Sequence, residues 1–166
     1  MTTPMKKEVE RCQMAFEEAI KGKTVSMICS GDAGVYGMAG LMYEVGVNYP
    51  QVELEIIPGV TAATGGAAVL GAPLIHDFCL ISLSDLLTPW EKIETRLLEA
   101  SKADFVICLY NPSSKKRHDY LEKACNLMME YKAPDTVCGI VENIGREGES
   151  MKVLTLEELK TTKVDM

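Results

Sequence analysis

Short apolar runs alternate with amphipathic stretches along this chain, and nearly every run ends in a Gly, Pro or Asn loop. Residues 24–29 (TVSMIC), 52–57, 79–83, 105–110 (FVICLY), 136–141 and 151–154 read as strands. Between them, Val9, Cys12, Phe16 and Ile20 recur at three to four residues and mark one face of a helix over 5–20, ended by Gly22. Helices are also predicted over 35–49, 61–70, 89–102, 115–131 and 156–159, with Thr61, Thr88 and Ser113 or Ser114 as N-caps. Strand–helix alternation of this kind points to an α/β fold with a largely parallel sheet. Gly71-Ala72-Pro73 is the natural seam, giving two small α/β domains over 1–72 and 73–166.

With 166 residues, 47% hydrophobic and 25% charged, the chain is neither disordered nor fibrous. Only 6% of residues are aromatic, whereas 10 are Met, so the core is expected to be aliphatic and rich in sulfur. A net charge of −7, spread along the chain, argues against nucleic-acid binding, which needs basic contacts to phosphate. None of the six cysteines (Cys12, Cys29, Cys79, Cys108, Cys125, Cys138) forms a C-x-x-C pair, so no metal site is expected. They read as reduced thiols of a cytoplasmic protein. The first residues lack a signal core, and no apolar stretch is long enough for a membrane span.

In α/β sheets ligands bind beyond the carboxyl ends of the strands. Four loops at such positions stand out: SGDAGVYG (30–37), PGVTAA (58–63), YNPSS (110–114) and ENIGREGE (142–149). The first is G-x-x-G-x-x-G, neither a dinucleotide fingerprint nor a P-loop. Its glycines permit close approach of a ligand to backbone, and Asp32 offers acceptors for a ribose or amine. The competing reading is a tight turn with Asp32 capping the helix behind it. Thr61 serves as a cap or exposes amides to a ligand. Asn111 and Arg146 admit plain structural readings as a turn former and a solvated loop residue.

Taken in order, GDAGVYGMAG, PGVTAA, LYNPSS and VENIGREGE resemble the tetrapyrrole methylase superfamily. The segment HDFCLISLSDLLTPWEKIE (76–94) is similar to the branch that methylates ring carbon 17 of precorrin-3B or cobalt-precorrin-3. The resemblance implies two α/β domains, S-adenosylmethionine as methyl donor with S-adenosylhomocysteine as product, and a cofactor cleft between the domains. It implies cofactor contacts at Ser30, Gly31, Asp32, Val35, Thr61, Ala62, Asn111 (through backbone) and Ile144. Ala33 stands where the family often has Pro. The family's leading strand and its G-x-G-P-G loop have no counterpart here, so the first domain is expected to be incomplete, as is the strand after Val164.

The implied reaction couples methyl transfer to ring contraction in cobalamin biosynthesis. The macrocycle is itself the nucleophile, so no catalytic residue is assigned; His76, Asp85 and His118 are the candidates for a base. A polycarboxylate substrate on an acidic protein calls for a local basic patch, for which Lys115, Lys116, Arg117 and Arg146 are candidates. A homodimer is expected. The alternatives are a sister methylase with another target carbon, or a fragment that folds and dimerises without activity.

Overall fold

A computed structural model of the chain describes residues 2–4, 7–113 and 118–164. It divides into two compact units, Met1–Ala62 and Ala63–Met166.

In the first unit, α1 (Glu8–Ala19) turns Cys12 and Phe16 inward, one helical turn apart, at 0% and 2% exposure. They meet Met42 and Val45 of α2 (Ala39–Gly46). The Phe16 ring stacks on Tyr49 with centroids 4.8 Å apart. It also lies so close to Gly46 that a Cβ there would come within 3.1 Å of the ring. The predicted helix over 35–49 begins late, because residues 33–38 form turns with Tyr36 at φ +53°. The predicted strands at 24–29 and 52–57 join no ladder among the described residues, which corrects that reading. Val52, Leu54 and Ile56 are half-buried and Glu53, Glu55 and Ile57 exposed, so the two-residue alternation is present. Alternation sets which side chains face the core, but a strand also needs a neighbouring backbone to pair with.

In the second unit, α3 (Ala62–Val69) stops at Gly71, whose φ is +86°. There the Ala72 N–H donates to the Ala67 carbonyl (2.7 Å) and Gly71 N–H to that of Ala68, a Schellman closure. Strand β1 (Phe78–Ser82) pairs in parallel with β2 (Val106–Tyr110), Ser82 opposite Tyr110, with α4 (Trp90–Lys102) as the crossover. Strand β3 (Val137–Glu142) pairs with β4 (Ser150–Thr155) antiparallel in a second two-stranded sheet, so among the described residues the expected single, largely parallel sheet is replaced by one parallel and one antiparallel pair. Residues 143–149 between them are too few for a parallel crossover, which needs about a dozen.

Helix α4 begins at Trp90 with Pro89 as N-cap residue, one position after the predicted Thr88. Helix α5 (Tyr120–Met128) follows Asp119 rather than Ser113; Ser114, the other predicted cap, and Lys115, Lys116 and Arg117 lie outside the described residues. The last helix, α6 (Leu156–Thr161), opens with a capping box in which Thr155 and Glu158 satisfy each other's backbone N–H.

The units part between Ala62 and Ala63, ahead of Gly71-Ala72-Pro73, because α3 is packed on β3. A Cβ at Gly66 would lie 3.3 Å from Ile144 Cδ1, and one at Gly139 only 2.5 Å from Leu70 Cδ1. The core of this unit joins Leu83, Ile93, Leu97, Leu121, Ala124, Cys125 and Met128 with Leu154, Leu156 and Leu159. It is aliphatic and carries sulfur, as the composition requires. All six thiols are free, Cys12 and Cys125 fully buried and the rest half-buried. Burial pushes the Cys125 thiol up to about 12, leaving it protonated and unreactive at neutral pH.

Leu97 is completely buried between the two sheet strands and α5. Leu97→Ala is expected to lower the free energy of unfolding by about 2–5 kcal/mol, measured by urea denaturation. A loss under about 1 kcal/mol would mean this cluster is not the core.

Candidate cofactor site

Within the first unit, the loops over 30–37 and 58–61 meet backbone to backbone. Gly31 sits at φ +74°, open to glycine and strained for other residues. Its carbonyl oxygen lies 2.2 Å from where a Cβ on Gly59 would be, so position 59 admits only glycine without rearrangement. Thr61 follows at once, its Cα 3.7 Å from a Cβ placed on Gly31.

Asp32 holds this junction together. Its Oδ1 accepts the Gly34 N–H and its Oδ2 the Gly59 N–H, each at 2.8 Å. Those donors, Gly59 first and Gly34 next, hold the carboxyl below its ordinary value of 3.8. The Val35 N–H donates to the Asp32 carbonyl at 3.3 Å. Asp32 thus spends both oxygens on loop geometry, closer to the turn-former reading of the sequence than to a free acceptor. Ser30 and Gly31 are exposed beside it. Ala62 is the first residue of α3, exposed, with Thr61 half-buried in the position preceding it.

In the second unit the carboxyl ends of β1 and β2 carry a separate polar group. Asn111, at φ +52°, donates from Nδ2 to Ser82 Oγ at 2.9 Å, and the Ser84 N–H donates to the same oxygen at 3.2 Å. The Tyr110 hydroxyl accepts the Ala63 N–H at 2.8 Å, satisfying one of the orphan donors of α3. Ile144 is half-buried against Gly66. Its loop is shaped by Asn143 at φ +54° and by the Gly145 N–H donating to Glu149 Oε2 at 2.7 Å.

Other candidates fall elsewhere. His76 precedes β1, at the end of the parallel pair opposite Asn111. His118 is exposed beside Asp119. Asp85 accepts a hydrogen bond from the Tyr120 hydroxyl at 2.7 Å. Arg146 is exposed, and Lys115 and Arg117 fall on residues not described. Sequence reasoning missed Ser82, Tyr110 and Tyr120 as polar anchors. Tyr110 opens the YNPSS loop, but a serine at a strand end and a tyrosine on a helix face carry no local signal of a partner far along the chain. No group of three metal-ligating side chains occurs among the described residues.

This chain belongs to the Tetrapyrrole (Corrin/Porphyrin) Methylases, whose sequence model matches residues 2–160. It is 50% identical over 165 residues to the "Probable cobalt-factor III C(17)-methyltransferase" of Salmonella typhimurium, covering 99% of this chain and 68% of that protein. The crystal structure of the methyltransferase CobJ matches with TM-score 0.88 and 35% identity, over 94% of this chain and 66% of that one. A uroporphyrin-III C-methyl transferase from Thermus thermophilus, solved with S-adenyl homocysteine, shares the fold at TM-score 0.69 and 22% identity, over 97% of this chain and 69% of that one. The chain spans about two thirds of the length of these relatives.

Two outcomes follow from the junction. Gly59→Ala forces a Cβ into the Gly31 carbonyl and is expected to destabilise the first unit by about 1–3 kcal/mol, read by thermal unfolding. An unchanged melting curve would show that the loops are not in contact. For Asp32 the folded-state pKa is depressed, so its hold on Gly59 is complete above the unfolded value and fades as pH falls through the lower, folded one. A carboxyl-carbon NMR titration should give Asp32 a midpoint below 3.8.

Proposed function

We propose that this chain carries out S-adenosylmethionine-dependent methyl transfer to ring carbon 17 of precorrin-3B or a cobalt counterpart such as cobalt-factor III, with ring contraction, in cobalamin biosynthesis. The observation that carries the reading is the glycine-tight junction of Ser30–Asp32 with Gly59–Thr61 in a chain of this family. It is supported by the function named for the Salmonella relative.

The fit to the methyl donor rests on backbone. Gly31 is exposed, and its φ of +74° lets the loop bring its backbone to the surface beside Thr61. Exposed Ser30 and Gly31 offer polar backbone and a hydroxyl to the amino-acid part of the cofactor, with Val35, Thr61 and Ala62 beside them. Asn111, through backbone, and Ile144, at the adenine, are also assigned to the cofactor. S-adenosylmethionine supplies an electrophilic methyl group. Because the macrocycle supplies the electron pair, the chain's own task is to orient the reactants and exclude water. Asp32 serves that task by fixing Gly34 and Gly59, which makes it a positioning residue. Lys115, Arg117 and Arg146 are assigned to the substrate carboxylates. The reading includes a homodimer in the cytoplasm, with light scattering as the check on the dimer.

Isothermal titration with S-adenosylhomocysteine tests the reading. Binding is expected for the native chain, weakened about tenfold or more in Asp32→Ala. Silence at about 1 mM S-adenosylhomocysteine would remove the cofactor assignment. Incubation with cobalt-factor III and labelled S-adenosylmethionine should place the label on ring carbon 17; label on another carbon would point to a sister methylase.

A further inference from the structure

The loop between β1 and α4 carries two adjacent leucines, Leu86 at 75% and Leu87 at 98% exposure. Single exposed leucines need no explanation, but an adjacent pair at a loop tip leaves apolar surface in water unless something covers it. The base of this loop is held at several points. Ser84 N–H donates to Ser82 Oγ (3.2 Å), and the Tyr120 hydroxyl donates to Asp85 Oδ2 (2.7 Å). Trp90 packs against the Tyr120 ring with centroids 4.3 Å apart, and its indole N–H donates to Glu94. Lys123 lies over both rings, 5.9 Å from Trp90 and 5.2 Å from Tyr120. A fixed base under an apolar tip is a presented surface rather than a loose loop.

The position of the tip narrows its occupant. It follows the carboxyl end of β1, beside Ser82, to which Asn111 at the end of β2 is hydrogen-bonded. Two leucine side chains offer at most a few hundred Å², far short of the roughly 800 Å² per partner of a stable protein interface. A small flat ligand with an apolar face and charged rim matches that area, and a tetrapyrrole polycarboxylate has that form.

We propose that Leu86 and Leu87 form the apolar platform against which the face of the tetrapyrrole rests, and that Asp85 and Tyr120 position it. The inference rests on the methylase reading above. Asp85 then acts through the loop, not as a base on the substrate.

The test uses the full chain with cobalt-factor III, followed by its visible absorbance, and S-adenosylhomocysteine, followed by calorimetry. The double variant Leu86→Ser/Leu87→Ser is expected to weaken cobalt-factor III binding about tenfold or more while leaving S-adenosylhomocysteine affinity and melting temperature unchanged. Tyr120→Phe keeps the ring on Trp90 but loses the hydroxyl, and should weaken cobalt-factor III several-fold with S-adenosylhomocysteine unaffected. Asp85→Ala should do the same, whereas Asp85→Asn, still an acceptor for the phenol, should restore binding. Unchanged cobalt-factor III affinity in the double variant overturns the platform and leaves the methylase reading standing. A native chain that binds neither ligand overturns both. A native dimer that becomes a monomer in the double variant assigns the leucines to self-association and also overturns the platform.

Discussion

The carbonyl oxygen of Gly31 occupies the space that any side chain at position 59 would need. That single approach decides how the first unit presents its loops. With no Cβ in the way, the Gly59 N–H reaches the Asp32 carboxylate, and the same carboxylate turns back to Gly34. Two short loops are thereby tied to one side chain, and the exposed backbone of Ser30 and Gly31 is left beside it. The arrangement costs little to hold at neutral pH, because the hydrogen bonds stabilise the charged form of Asp32.

The second unit solves a similar problem with hydroxyls. Ser82 Oγ accepts from Asn111 and from the Ser84 backbone, and the Tyr110 hydroxyl takes an amide at the start of α3. The Tyr120 hydroxyl anchors Asp85. Each joins the end of a strand, or the loop leaving it, to another element, as a site at the carboxyl ends of parallel strands requires. Beneath them the core is built from Leu, Ile, Met and Cys with Trp90 and Tyr120 at its margin. Polar anchoring and core packing thus draw on different residues of the same strands, since successive side chains alternate between faces.

Much of this was legible beforehand. The helix α1 follows from apolar spacing, and Cys12 and Phe16 are buried where that spacing puts them, whereas Val9 and Ile20 on the same predicted face are exposed. The four loops were visible as Gly, Pro and Asn punctuation, and the left-handed conformations of Gly31, Gly71 and Asn111 fit those residue types. Tyr36 and Asp104 adopt the same conformation with no comparable signal. The start of α2 was misjudged because Val35 and Tyr36 continue an apolar pattern while the backbone turns. The antiparallel β3–β4 pair was missed because periodicity says nothing about direction; only the brevity of 143–149 carried it.

By itself, the sequence determined periodicity, punctuation and family membership, because these depend on side chains within a few residues of one another and on ordered motifs. Only the tertiary structure decided that 24–29 and 52–57 join no ladder, that α3 belongs with β3, and that Asp32 is bound to Gly59 across 27 positions. The reason is the same in each case. A strand partner, a helix seat and a carboxylate's donor are chosen by distance in space, and nothing in a local pattern encodes which distant backbone will arrive there.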